Sequence, residues 1–183
     1  LENGLSFYIN AVTGQKTGFF LDQRENRELL ARYSKDKHVL NMFGYTGGFS
    51  VYAAKAGAEM VHTVDSSAPA IALAIGNMKL NGFDSSGYAC FTADVRRYFE
   101  SMDNGLYDLV VLDPPAYAKN VSSRIQALKG YRTINAMALA KIKSGGILFT
   151  FSCSQVVDRQ MFTSAVTAAA VDAGRQVRII HHL

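Results

Sequence analysis

The sequence predicts a doubly wound α/β domain with a mainly parallel sheet, preceded by a β-hairpin. Three observations carry that prediction. From His38 onward short apolar runs alternate with helical segments. The runs are apolar throughout instead of at every second residue, as strands covered on both faces by helices are. Glycines (Gly57, Gly82 and Gly174) stand just past three of the helical segments, where a left-handed C-cap is wanted.

The hairpin is read from Leu5 to Ile9 and Thr17 to Leu21, two apolar runs around a Thr13-Gly14-Gln15 turn. Asp22 then reads as a helix N-cap, with Glu25 completing a capping box for a helix over Gln23 to Tyr33. The expected strands are His38 to Met42, Met60 to Val64, Tyr88 to Thr92, Tyr107 to Leu112, Ile147 to Phe151 and Gln176 to Ile180. Helices are expected over Phe49 to Ala56, Pro69 to Asn81, Val95 to Met102, Arg124 to Lys143 and Asp158 to Ala173. Pro69 lies at a helix start, where its missing N–H does no harm.

Composition bounds the function classes. With 183 residues, 49% of them hydrophobic, the chain can build one sizeable core. Two cysteines exclude a disulfide scaffold and favour a reduced, cytoplasmic setting. Apolar runs such as Leu109 to Leu112 are far too short to span a membrane, and the start does not read as a signal peptide. The formal charge of +4 is unevenly spread. Residues 114–157 hold six basic groups (Lys119, Arg124, Lys129, Arg132, Lys141 and Lys143) and no acidic one. That segment starts at the carboxyl end of the fourth strand, the edge where open α/β sheets bind ligands. A basic stretch there suits nucleic acid, although a solvated helix face has the same composition. His38, His62, His181 and His182 show no metal-ligand spacing with the cysteines, so no metal is expected.

The first strand runs into Asn41-Met42-Phe43-Gly44-Tyr45-Thr46-Gly47-Gly48, and Asp65 ends the second strand about 20 residues later. Glycines at such a turn let backbone approach a ligand, and the acidic group can accept both hydroxyls of a ribose. Asp94, after the third strand, can accept from an exocyclic amine such as that of adenine, or cap the helix that follows. A glycine loop without a phosphate-binding lysine, followed by acids after strands two and three, fits S-adenosylmethionine better than a dinucleotide or a nucleoside triphosphate.

Strand four ends in Asp113-Pro114-Pro115-Ala116-Tyr117, whose prolines stiffen the exit and hold Asp113 at the sheet edge. Strand five ends in Phe151-Ser152-Cys153-Ser154, which puts a thiol on the same edge. Methylation of pyrimidine C5 calls for a thiol, because that carbon has no lone pair. A thiolate adding to C6 makes C5 nucleophilic, and a carboxylate can hold the base edge near N3 and N4. Cys90, inside strand three, reads as a core residue.

These segments, with Glu2-Asn3-Gly4-Leu5 and Gly14-Gln15-Lys16-Thr17-Gly18-Phe19-Phe20-Leu21-Asp22-Gln23-Arg24, resemble the class I S-adenosylmethionine-dependent methyltransferases that make 5-methylcytosine in large-subunit ribosomal RNA. The resemblance covers essentially the whole chain. It implies a Rossmann-like catalytic domain over residues 23–183, shortened at its C-terminus, after a hairpin remnant of a central region over residues 1–22. It implies Cys153 as nucleophile and Asp113 as base-edge stabiliser. The cofactor residues carried over are Phe20, Asp22, Arg24, Asn41, Phe43, Gly44, Tyr45, Thr46, Gly47, Asp65, Ser66, Asp94, Asp113 and Pro114. The substrate residues are Pro115, Tyr117, Lys119 and Arg124. The expected partner is ribosomal RNA, with a homodimer left open and no membrane. A relative with the same L-D-x-R element methylates guanine N7 and lacks the strand-five cysteine, so Cys153 favours cytosine. Ala116 shifts the aromatic residue by one place from the D-P-P-Y of amino-methylating enzymes. Methylation of a guanine or adenine nitrogen, and a non-catalytic RNA module that binds the cofactor, are the alternative readings.

Overall fold

The computed structural model describes residues 1–9, 18–84 and 86–182, and they fall into two compact units, 1–95 and 96–183. Parallel strands and intervening helices build both, which is the α/β class the sequence predicts.

In the first unit, α1 (Arg24–Ser34) is followed by β1 (His38–Met42), α2 (Gly48–Lys55), β2 (Met60–Asp65), α3 (Ala68–Leu80) and β3 (Tyr88–Thr92). β1 pairs parallel with β2 from His38↔Met60 to Met42↔Val64, and β2 with β3 from Val61↔Tyr88 to Asp65↔Thr92. Val39, Leu40, Asn41 and Met42 are all buried, as the unbroken apolar run requires of a strand covered on both faces. This register has one consequence for the site. Asp65 lies one step beyond Val64, the partner of Met42, so its carboxylate arrives beside the loop that leaves β1.

In the second unit, α4 (Val95–Ser101), whose first residue ends the first unit, leads to β4 (Leu109–Leu112), α5 (Arg124–Lys141), β5 (Ile147–Thr150) and α6 (Arg159–Asp172). β4 and β5 pair parallel from Leu109↔Ile147 to Leu112↔Thr150, so the residues that follow both strands leave at one edge. Helices α5 and α6 meet through Leu139, Ala169 and Ala170, where small side chains permit close approach. Asp158 caps α6 by accepting from Met161 N–H at 2.8 Å. No helix among the described residues is long and apolar enough to cross a membrane.

The ten strands and helices from β1 to α6 lie within two residues of their expected limits, and Gly57, Gly82 and Gly174 take positive φ as their C-cap positions demand. Three expectations need correction. The Thr13-Gly14-Gln15 turn lies outside the described residues, but Leu5 to Ile9 is not a strand. Its backbone is held by α3 instead. Ser6 exchanges hydrogen bonds with the Asn81 side chain at 2.9 and 2.8 Å, and Tyr8 N–H donates to Asn77 Oδ1 at 2.7 Å. Asp22 does not cap α1. It sits inside a 3₁₀ turn at Leu21–Gln23, and Gln23 occupies the N-cap without a capping bond from its side chain. Gln176 to Ile180 forms no strand, because no neighbouring strand offers it a ladder among the described residues, and Val177, Ile179 and Ile180 are exposed.

Candidate active site

In the first unit, the loop after β1 folds under backbone strain. Phe43 and Tyr45 take φ of 56° and 45°, a left-handed conformation that is costly for bulky residues and that collects at functional sites. Gly44 N–H bonds to Val64 O at 3.0 Å, and Gly47 N–H closes onto Gly44 O at 2.7 Å. A Cβ on Gly44 would stand 2.4 Å from Thr63 Cγ2, so only glycine fits between β1 and β2 there. Beneath the loop, buried Asn41 donates to Ser50 Oγ at 2.9 Å, which is 2.6 Å from Thr63 Oγ1, and Asn41 Oδ1 is buried with no hydrogen-bond partner.

The half-buried Asp65 carboxylate faces this loop. Oδ2 accepts Tyr45 N–H at 3.0 Å and Oδ1 accepts Ser67 N–H at 2.8 Å, which fixes the group while leaving lone pairs for further donors. Ala93 N–H donates to Asp65 O at 3.0 Å, so the exposed Asp94 follows directly beside it. Ser66 is exposed on the same turn.

The Phe19-Phe20 stretch is held over the loop by an ion pair. Arg27, 2% exposed, meets Glu2 through Nε–Oε1 at 2.9 Å and Nη2–Oε2 at 2.8 Å, and gives its remaining Nη1 to Phe20 O at 2.9 Å. Its guanidinium lies 4.5 Å from the Phe19 ring. The Phe20 ring meets Tyr45 edge to face at 5.5 Å. Asp22 and Arg24 are exposed at the start of α1.

In the second unit, Asp113 and Cys153 come together. Cys153 Sγ is 3.7 Å from Asp113 Oδ1, a thiol-to-carboxylate hydrogen bond, and both residues are partly buried. Pro114 is buried and Pro115 exposed. The Tyr117 ring stacks on Tyr131 at 4.7 Å and lies against Gly130, where an added Cβ would be 3.0 Å from it. The six basic residues are not equivalent. Arg132 is engaged by Asp172 through two 2.6 Å contacts, Lys143 by Asp108 at 2.9 Å, and Lys141 by Met102 O at 2.8 Å. Lys119, Arg124 and Lys129 have no ion-pair partner among the described residues, and Lys119 and Lys129 are exposed. Cys90, expected in the core, is only partly buried, and that burial pushes its thiol pKa up.

A parallel α/β fold with a strained glycine loop after β1 and a fixed carboxylate after β2 defines a protein that binds a nucleoside-containing cofactor. The chain belongs to the S-adenosylmethionine-dependent methyltransferase family, whose sequence profile matches residues 1–173. It is 45% identical to the ribosomal RNA large subunit methyltransferase I of Shewanella denitrificans over 184 residues, which is 100% of this chain and 46% of that protein. The enzyme of the same name from Vibrio parahaemolyticus is 45% identical, over 98% of this chain and 46% of its own. The chain thus spans about half the length of these curated relatives. Among solved structures, an S-adenosylmethionine-dependent methyltransferase from Streptococcus mutans superposes with a TM-score of 0.82 at 28% identity, over 93% of this chain and 45% of that one. A methyltransferase solved with SAH gives 0.82 at 29% identity, over 92% and 45%.

S-adenosylmethionine suits what the first unit presents. A carboxylate fixed by two backbone N–H groups keeps acceptor capacity for a ribose, and a buried, unpartnered Asn41 oxygen awaits a donor. Four residues of consequence have no role in the sequence reading: Arg27 and Asn77 are not singled out there, and Glu2 and Ser154 appear only inside longer motifs. Asn77 had a faint signal, since it and Asn81 are poor helix formers four residues apart in a helix. The others carry none, because their roles come from contacts with distant segments.

Proposed function

We propose that this protein methylates cytosine C5 in large-subunit ribosomal RNA, with Cys153 as nucleophile. The observation that carries the reading is the 3.7 Å contact between Cys153 Sγ and Asp113 Oδ1. The names of the relatives supply the substrate class, ribosomal RNA of the large subunit.

Asp113 accepts the thiol proton as the sulfur forms its bond to C6. The C5–C6 π pair moves to C4–C5, and the C4–N3 π pair settles on N3, which takes the proton from the Asp113 carboxyl group. S-adenosylmethionine, when bound, supplies a methyl group on a positively charged sulfur. C5, now enamine-like, takes that methyl group. The C5 proton then passes to water, the C5–C6 double bond re-forms and expels the Cys153 thiolate, and N3 returns its proton through Asp113 to that thiolate. Asp65 holds the ribose, Asp94 the adenine amine, and Asn41, Phe43 to Gly47, Ser66, Phe20, Asp22, Arg24 and Pro114 complete the cofactor's surroundings. Pro115, Tyr117, Lys119 and Arg124 meet the RNA. The target base is out of its stack, by flipping or in a loop.

Nucleoside mass spectrometry of large-subunit RNA methylated by the intact protein tests this. The expected product is 5-methylcytidine. A methylguanosine or methyladenosine product would replace this reading with N-methylation, a reaction that has no use for Cys153.

A further inference from the structure

Ser154 follows Cys153 in the chain and bonds to the loop that carries Asp113. It is 3% exposed and lies next to Cys153 in the segment that leaves β5. Its hydroxyl makes two contacts inside an otherwise apolar cluster of Ala118, Ala127, Tyr131, Val157 and Ala165. Oγ accepts the N–H of Ala118 at 3.1 Å and lies 2.9 Å from the Tyr131 hydroxyl. Ala118 belongs to the loop that carries Asp113 and its two prolines, whereas Tyr131 belongs to α5. One oxygen therefore joins the loop after β4, the helix α5 and the segment after β5.

The surroundings keep that oxygen in place. Tyr131, fully buried, is braced by Tyr117 on one side and by Phe162 edge to face at 5.2 Å on the other. Gly130, a poor helix former, has no Cβ and so leaves room on α5 for the Tyr117 ring. Val157 N–H closes onto Ser154 O at 3.0 Å and fixes the turn after Cys153. A buried hydroxyl with both partners satisfied is a rigid joint, because breaking either bond strands a polar group away from water.

We propose that Ser154 is a positioning residue that holds the Cys153 thiol at its contact with Asp113, so that the proton can leave as the sulfur attacks. This inference rests on the reading of Cys153 as nucleophile. Without the hydroxyl the Asp113 loop and the Cys153 segment shift relative to each other, and misplacement by about 1 Å costs as much as about a hundredfold in rate.

The test compares Ser154→Ala, Ser154→Thr and Tyr131→Phe in the intact protein, with a Cys90→Ala background for measuring alkylation of Cys153 by iodoacetamide. Ser154→Ala is expected to lower kcat by about 10- to 100-fold and leave KM for S-adenosylmethionine within about twofold. Cys153, released from Asp113, alkylates faster in the same variant. Ser154→Thr, which keeps the oxygen, restores most of kcat, and Tyr131→Phe falls between. A folded Ser154→Ala protein with unchanged kcat and unchanged alkylation overturns the proposal, as does a rise in KM with kcat untouched. Should Ser154→Ala not fold, Tyr131→Phe decides by the same two readings. Full methyl transfer by Cys153→Ala would instead sink the nucleophile reading, and the alkylation rates still judge the hold of Ser154 on Cys153.

Discussion

The side-chain amide of Asn77 donates to the carbonyl of Thr46 at 2.9 Å, inside the glycine loop, while its oxygen accepts Tyr8 N–H at 2.7 Å. Asn77 is fully buried and Thr46 2% exposed. One side chain on α3 thereby ties the N-terminal segment to the glycine loop after β1, doing for residues 5–9 what a partner strand would otherwise do.

Asn77→Asp isolates that link. The carboxylate still accepts from Tyr8 but has no proton for Thr46, and it faces a carbonyl oxygen instead. Affinity for S-adenosylmethionine, measured by calorimetry, is expected to fall about tenfold, the equivalent of one buried hydrogen bond of about 1.4 kcal/mol. Asn81→Ala, which removes the Ser6 contacts and a 2.7 Å bond to Asn77 O but leaves the Asn77 side chain its bonds to Thr46 and Tyr8, is expected to change that affinity far less. Equal losses in both variants would mean that Asn77 acts through general stability.

Tyr52 gives the fold a pH dependence of known sign. Its hydroxyl is buried and donates to Glu2 Oε1 at 2.8 Å, and burial together with that carboxylate pushes its pKa up to about 12. The folded protein thus keeps a proton that the unfolded chain releases near pH 10. The stability this contributes is fully present below pH 10 and is lost as pH rises toward 12, by roughly 2–3 kcal/mol for a two-unit shift. Urea titrations at pH 9, 10.5 and 12 should show the loss. Tyr52→Phe should flatten that part of the curve, while the slope from Tyr107, whose pKa burial also raises, remains.

The basic segment makes a prediction about salt. Lys119 and Arg124 have no ion-pair partner among the described residues, whereas Arg132 and Lys143 are already engaged by Asp172 and Asp108. Removing Lys119 or Arg124 should weaken RNA binding and lower the slope of log K against log salt by about one each, as expected for a lost phosphate contact. Arg132→Ala and Lys143→Ala should change the slope less. A uniform effect across the four would assign the binding to net charge alone.

Much of the fold and the centre of the site can be read from the sequence because their signals are local. The glycine loop, Asp65 and the Asp113-Pro114-Pro115 turn are contiguous residues whose backbone demands are written in their types. Cys153 and Asp113 could be placed on one edge because parallel strands leave a sheet in the same direction, and β4 and β5 are paired. The failures share one physical cause. Leu5 to Ile9 has the composition of a strand, and only its distant partners Asn77 and Asn81 decide that it is an extended strap. Gln176 to Ile180 likewise has strand propensity without a ladder to join among the described residues. Arg27, Glu2 and Ser154 are ordinary residues in the sequence, and burial against segments far along the chain gives them their work.

The claim that Cys153 adds to the base is tested most directly with RNA in which the target cytosine is replaced by 5-fluorocytosine. Fluorine cannot leave C5 as a proton does, so the chain stays bonded to C6 after methyl transfer. Incubation of the intact protein with this RNA and S-adenosylmethionine should give a protein–RNA adduct that survives denaturation and maps to Cys153, and Cys153→Ala should give none. Methylation of the RNA with no adduct, or an adduct that persists in Cys153→Ala, would contradict the account.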